Sequence, residues 1–246
     1  MNCVVIIQAR MTSTRLPGKV LADLAGRPML AQQLNRLRAS GETDDIVIAT
    51  TGNAADDPVV ALARAEGVRW FRGDEHDVLG RYAGAAREAG AEIVVRVTAD
   101  CPLIDAAELD RVIAALRENA ASIDYASNVM RRTYPRGLDA EVMFVDVLDR
   151  MHRMARSREA REHVTWFLLR EHPELFSRLS VEDAEDNSDL RWTVDTPEDF
   201  ALASAIYRGI GLSEVCRPYR EILAYVRAHP ELNAINAGIA QKHALP

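Results

Sequence analysis

Apolar and polar positions along the chain follow two rhythms. Short, unbroken apolar runs rich in β-branched residues recur as "CVVIIQA" (3–9), "DIVIATT" (45–51), "VRWF" (68–71) and "EIVVRVTAD" (92–100), and each reads as a strand. Between them the apolar residues fall at helical spacing. Leu30, Leu34 and Leu37 mark one helix, a second follows Asp57-Pro58 with proline at its first position, and a third runs from about Val78 to Ala89. Strands that are apolar throughout, rather than alternating, are buried on both faces. That pattern predicts an α/β fold with a mostly parallel sheet flanked by helices.

Beyond Asp105 the pattern loosens. "DAAELDRVIAALREN" reads as a helix, with Asp105 and Glu108 at capping-box spacing. "DYASNV", "LDAEVMFV" and "LRWTVDT" (190–196) look like strands, and 146–172 looks like two helices. A further helix opens on Pro197, and another spans roughly Tyr219–Ala228. With no repeat, low-complexity tract or Gly/Ser linker, the expectation is one α/β domain over 1–246 carrying an inserted segment at about 125–180.

In sheets of this kind, ligands bind outside the carboxyl ends of the strands. That rule directs attention to the loops Arg10–Lys19, Thr50–Asp57, Arg72–Asp77 and Asp100–Asp105. The first holds Arg10, Arg15 and Lys19 among Ser13, Thr14 and Gly18. Small residues let backbone N–H groups approach phosphate oxygens, while guanidinium forks and a compact ammonium supply charge. It is not a Walker A loop, because Ser13 and Val20 stand where that motif needs glycine and a hydroxyl. A solvated basic loop is the competing reading.

Asp100 and Asp195 each end an apolar run, so both carboxylates belong at the carboxyl edge of the sheet. Mg²⁺ is commonly held by one or two carboxylates plus phosphate oxygens and water. The alternative is that each merely precedes a helix; for the second, Thr196 would be the cap and Pro197 the first helical residue. Asp56 and Asp57 read as a helix cap. Glu75, His76 and Asp77 are consecutive and cannot easily converge on one ion. Cys101 lacks a flanking base, which rules out a nucleophile.

The net charge of −7 argues against a general nucleic-acid binder, so any anion site is local. Three cysteines far apart, with no C-x-x-C, indicate neither a disulfide framework nor a zinc ribbon. No apolar run approaches the ~20 residues of a membrane helix. The first residues lack the features of a signal peptide. A cytoplasmic protein with no membrane partner is expected.

The run "QARMTSTRLPGKVLADLAGRPML" resembles the nucleotide-binding signature of the sugar-activating cytidylyltransferases, which include the CMP-KDO and CMP-sialic acid synthetases. "RVTADCPLID" and "TVDTPEDF" resemble that family's later acidic motifs. "YPRGLDAEVM" and "REHVTWFLLREHPELF" look like its SpsF-like branch, named for spore-coat polysaccharide synthesis. The resemblance implies a Rossmann-like nucleotide-diphospho-sugar transferase fold whose inserted segment binds sugar and makes a homodimer contact. It further implies CTP and a sugar acceptor as substrates, Mg²⁺ as cofactor, and a surface polysaccharide as destination. Carried over by position, the nucleotide would meet Ala9, Arg10, Ser13, Arg15, Lys19, Thr50, Arg72, Arg81 and Thr98. The metal would sit on Asp100 and Asp195, which with Arg10 and Lys19 form the catalytic set. The acceptor would meet Tyr134, Arg136, Asp139, Glu141 and His163. One departure stands out: Thr98-Ala99-Asp100-Cys101-Pro102 replaces the common Gln-Gly-Asp-Glu-Pro, removing an amide and an acid. Two rivals are a GT-A-type glycosyltransferase, for which the D-x-D metal motif is missing, and a non-catalytic nucleotide-binding protein.

Overall fold

The computed structural model describes residues 1–240. Strand β1 (Cys3–Gln8) leads through the basic loop into a small ribbon, β2 (Asp23–Leu24) and β3 (Arg27–Pro28), and then helix α1 (Met29–Leu37). Next come β4 (Asp45–Thr51), α2 (Asp57–Ala65), β5 (Arg69–Gly73), α3 (Val78–Ala89), β6 (Ile93–Thr98) and α4 (Ala106–Glu118). The chain continues through β7 (Tyr125–Ser127), β8 (Glu141–Phe144), α5 (Val145–Met154), α6 (Arg158–His163) and β9 (Arg178–Ser180). The last elements of the described residues are α7 (Pro197–Gly209), α8 (Tyr219–Ala228) and α9 (Pro230–Ala234).

One sheet has the order β5-β4-β1-β6-β8-β7-β9. All neighbours pair in parallel except β8, which runs against both β6 and β7. The unbroken apolar character of β1 follows from its central place. Val5 and Ile7 pack with Leu30, Leu34 and Leu37 of α1 and with α4, while Val4 and Ile6 face α3 and α5. A third cluster gathers Trp192 and Val194 with the apolar faces of α7 and α8. The segment 125–180 contributes β7, β8 and β9 to this same sheet.

The order places the functional cleft. From β1 the chain steps outward to β4 and β5, then crosses back to β6 on the other flank of β1. The carboxyl ends of β1 and β6 therefore diverge at a topological switch point, where such sheets open a crevice.

Three expectations need correction. Residues 190–196 form no strand: the segment makes only an isolated bridge between Arg136 and Arg191. Its backbone is held by loops on both sides, with Trp192 N donating to Arg136 O at 2.7 Å and Val194 N to Asp100 O at 2.8 Å. Glu108 closes no capping box, since its carboxylate turns to Tyr134 and Arg111, although Asp105 does cap α4 through Ala107 N and Glu108 N. Between 146 and 172, a wide π-helical turn at Phe167–Glu171 follows α5 and α6.

Candidate active site

The basic loop folds back on itself. Met11 O accepts from Ser13 N at 3.1 Å and from Gly18 N at 3.0 Å, and Ser13 Oγ accepts from Leu16 N at 3.3 Å. Gly18 has φ +70°, a left-handed conformation that glycine adopts without penalty, and it turns the chain so that Lys19 points inward. The loop is anchored from outside by Asp56, whose Oδ1 accepts Met11 N at 2.6 Å. Asp56 also accepts from the Thr51 hydroxyl and is only 1% exposed. It stands just before α2, yet its side chain does not cap that helix; it clamps the loop that bears Arg10.

A cavity of about 270 Å³ opens at the switch point, walled by Gln8, Ala9, Arg10, Thr12, Ser13, Thr14, Arg15, Lys19, Val20, Thr98, Ala99, Asp100 and Asp195. Lys19 is its hub. The ammonium lies 3.0 Å from Asp195 Oδ1 and 3.5 Å from Asp100 Oδ2, and donates to Val194 O at 2.6 Å. Arg15 meets Asp195 Oδ2 at 3.1 Å, and Arg191 meets the same oxygen at 3.0 Å. Burial pulls the Asp195 carboxyl upward, but Lys19, then Arg15 and Arg191, outweigh it and hold the group below the usual aspartate range.

Asp195 is pinned from behind. Thr196 caps α7 in a reciprocal box with Asp199, which also accepts the Asp195 backbone N–H at 3.0 Å. Thr196 is thus the cap, and Asp195, just outside the helix, turns its carboxylate to the cleft. Arg191 bridges Asp199 at 2.9 Å and Asp195 at 3.0 Å. Sequence reasoning missed Arg191 and Asp199; their four-residue spacing on either side of Asp195 was the available signal. Asp100 is set by Thr98, whose hydroxyl donates to Oδ1 at 2.6 Å. Cys101 is buried, and burial, reinforced by Asp100, raises its thiol well above the ordinary value, so it supplies no nucleophile.

Of the expected nucleotide contacts, Ala9, Arg10, Ser13, Arg15, Lys19 and Thr98 all reach the cavity. Thr50, Arg72 and Arg81 do not. Thr50 is fully buried within β4. Arg72 is spent on Thr51 O, Asn53 O and Asp57, tying two loops together. Arg81, 1% exposed, holds the backbone carbonyls of Asp74 and Glu75.

The expected acceptor contacts also divide. Tyr134 is buried against Tyr219, and its hydroxyl is engaged by Glu108 and Arg111, which makes it a packing residue. Glu141 is buried and saturated by Arg96, Tyr125 and Thr165. Asp139 is locked in a two-pronged pair with Arg132 at 2.6 and 2.9 Å. His163 is exposed at the end of α6, 6.0 Å from the Trp166 ring. Arg136 is half-buried and keeps its guanidinium unpaired among the described residues.

Cations and carboxylates converging on a crevice beside a parallel sheet suit a triphosphate with a hard metal ion. Among the described residues Asp100 and Asp195 are the carboxylates that line this cleft, and no group of three or more His, Cys, Asp or Glu converges anywhere to hold a metal. Two carboxylates fit Mg²⁺, which takes its remaining ligands from phosphate and water.

The model of the family described as "Cytidylyltransferase" matches residues 4–226. The chain belongs to the cytidylyltransferase family. Over 244 residues it is 35% identical to the uncharacterized protein MJ1063 of Methanocaldococcus jannaschii, covering 98% of this chain and 97% of that one. It is 35% identical over 214 residues to the spore coat polysaccharide biosynthesis protein SpsF of Bacillus subtilis, covering 84% and 86%. A solved cytidylyltransferase from Leptospira borgpetersenii superposes with a TM-score of 0.90 at 30% identity, over 99% of this chain and 100% of that one. The enzyme is therefore a nucleotidyltransferase, and the fold brings the basic loop after β1, Asp100 and Asp195 to one cleft. Among the described residues no helix is long and apolar enough to cross a membrane.

Proposed function

We propose that the enzyme couples CTP to an acidic sugar destined for a surface polysaccharide, giving a CMP-sugar and pyrophosphate. The observation that carries this reading is the Lys19 ammonium held between Asp100 and Asp195 at the mouth of a cleft lined by Arg10 and Arg15. Membership of the family supports the cytidylyl group, and likeness to the spore-coat protein supports the polysaccharide.

In this reaction an acceptor hydroxyl attacks the α-phosphorus of CTP, and the bond to the β-phosphate breaks as pyrophosphate leaves. Negative charge builds on the leaving phosphates, so the protein acts chiefly by positioning and by electrostatic stabilisation. Arg10, Arg15 and Lys19 receive the triphosphate, and the backbone of Ala9, Ser13 and Thr14 closes around it. Asp56 keeps the loop in register by holding Met11 N. Asp100 and Asp195 would hold Mg²⁺, which would neutralise phosphate charge and lower the pKa of the attacking hydroxyl. Arg191 and Asp199 keep Asp195 aimed at the cleft.

The test is a pyrophosphate-release screen of four nucleoside triphosphates against a panel of acidic, neutral and phosphorylated sugars. Release with CTP and an acidic sugar supports the reading. Transfer from a finished nucleotide sugar, without pyrophosphate, would replace it with glycosyl transfer.

A further inference from the structure

The turn that follows α9 reaches back towards the cleft through one side chain. Helix α9 opens on Pro230 and seats Leu232 and Ile235 in the apolar cluster that also buries Trp192 and Val194. The next residue, Asn236, is polar and only 6% exposed. A buried amide is costly unless its hydrogen bonds are made. Here its nitrogen donates twice, to Arg191 O at 3.0 Å and to Asp199 Oδ1 at 2.9 Å. The two partners lie 45 and 37 positions away in sequence, so only the fold brings them together.

Those partners are the residues that aim Asp195. Asp199 Oδ1 accepts from Arg191 Nε at 2.9 Å as well as from Asn236. Its Oδ2 accepts from Arg191 Nη2 at 3.0 Å and from the backbone N–H groups of Asp195 and Thr196 at 3.0 and 3.1 Å. A carboxylate filled on both oxygens has no lone pair left for a metal. Asp199 is therefore a mount behind the cleft and not a third ligand. From that mount Arg191 Nη2 reaches forward to Asp195 Oδ2 at 3.0 Å.

Asn236 joins the backbone of Arg191 to the carboxylate of Asp199, which stops the pair from pivoting together. Packing alone would be served by an apolar side chain beside Leu232 and Ile235; the amide is what couples the turn to the mount. Asn236 does not wall the 270 Å³ cavity, so any effect on the reaction passes through Arg191 and Asp199.

We propose that Asn236 is a positioning residue for the reaction: it fixes the Arg191–Asp199 mount, and thereby the aim of the Asp195 carboxylate at the metal. The inference rests on the metal assignment in the functional reading above. It makes the turn after α9 part of the scaffold of the active site.

The test compares wild type with Asn236→Leu, which keeps the volume and removes both N–H donors. Mn²⁺ binding to the CTP-loaded protein is followed by electron paramagnetic resonance. Loss of an outer contact to a metal ligand weakens affinity by about 10–100-fold, and Asn236 acts one contact further out, so the Mn²⁺ Kd should rise at least ~5-fold. In an Asp195→Asn background the same substitution should change it less than ~2-fold, because the ligand through which it acts is gone. Turnover lost in Asn236→Leu should return with excess Mg²⁺, which a merely damaged fold would not allow. Asn236→Ala repeats the comparison should the leucine variant fail to fold. In the wild type, adding Mg²⁺ to the CTP complex should shift the NMR signals of the Asn236 side-chain amide; signals that stay in place overturn the proposal without any variant. An unchanged Mn²⁺ Kd in a folded variant overturns it too and leaves the metal assignment standing, as does an equal loss in the Asp195→Asn background. A wild type that binds no Mn²⁺ with CTP present defeats the metal assignment, and the proposal with it.

Discussion

Replacing Lys19 by methionine removes the hub of the cleft while keeping its length. In the folded protein the ammonium lies 3.0 Å from Asp195 and the side chains are only 12% and 17% exposed. A unit pair at that distance is worth about 5 kcal/mol gross at an effective dielectric constant of ~20. Most of this is offset by the water both groups give up, and Asp195 keeps Arg15 and Arg191. A net loss of about 1–3 kcal/mol follows, from one partly buried charge left under-compensated. For a chain of this size that lowers Tm by about 2–12 °C. Turnover should fall much further, at least ~100-fold, because the same ammonium meets the phosphate charge that grows during reaction.

The pH dependence gives a second readout. The folded-state pKa of Asp195 is depressed, so its contribution is fully present above the ordinary aspartate value and is lost as pH falls through the lower, folded one. In Lys19→Met that depression shrinks. The Tm gap between wild type and variant should be widest near neutrality and narrow as the pH drops below about 4. Calorimetry across pH 3–7 and a pyrophosphate-release assay check both parts. A variant with unchanged Tm and more than half of wild-type turnover would refute the assignment of Lys19 to both carboxylate and phosphate stabilisation.

Three further outcomes follow from named contacts. Asp100→Asn should raise the Mg²⁺ concentration for half-maximal turnover at least ~10-fold, while excess chelator should abolish turnover and added Mg²⁺ restore it; metal-independent activity would contradict this. Gly137→Ala forces a Cβ to within 2.5 Å of Thr193 N at φ +112°, so stability should drop by at least ~2 kcal/mol, visible as a lowered denaturation midpoint. Tyr134→Phe removes a buried hydroxyl shared by Glu108 and Arg111, which costs about 1 kcal/mol and should leave the acceptor KM within ~2-fold of wild type.

The sheet was readable because burial on both faces leaves a direct mark: unbroken apolar runs such as "CVVIIQA" and "EIVVRVT" became β1 and β6. The cationic loop was readable because Arg10, Arg15 and Lys19 follow such a run within ten positions. The segment 190–196 misled because its apolar pattern records burial of Trp192 and Val194, which loops and helices satisfy as well as strands do. Tyr134 and Glu141 misled differently. Each has a polar group, but its partners come from other elements, Glu108 and Arg111 for one, Arg96 and Thr165 for the other. Local sequence carries no trace of such pairings. Asp56 was hidden by its neighbours: an acid before Asp57-Pro58 looks like a helix cap, and only the fold brings Met11 N within 2.6 Å of it.

The most direct measurement is a crystal of the enzyme soaked with CTP and Mn²⁺ and examined by anomalous scattering. The account predicts metal density held by the carboxylates of Asp100 and Asp195, with phosphates against Lys19, Arg10 and Arg15. A nucleotide bound elsewhere, or a metal held by phosphates alone with both aspartates turned away, would contradict it.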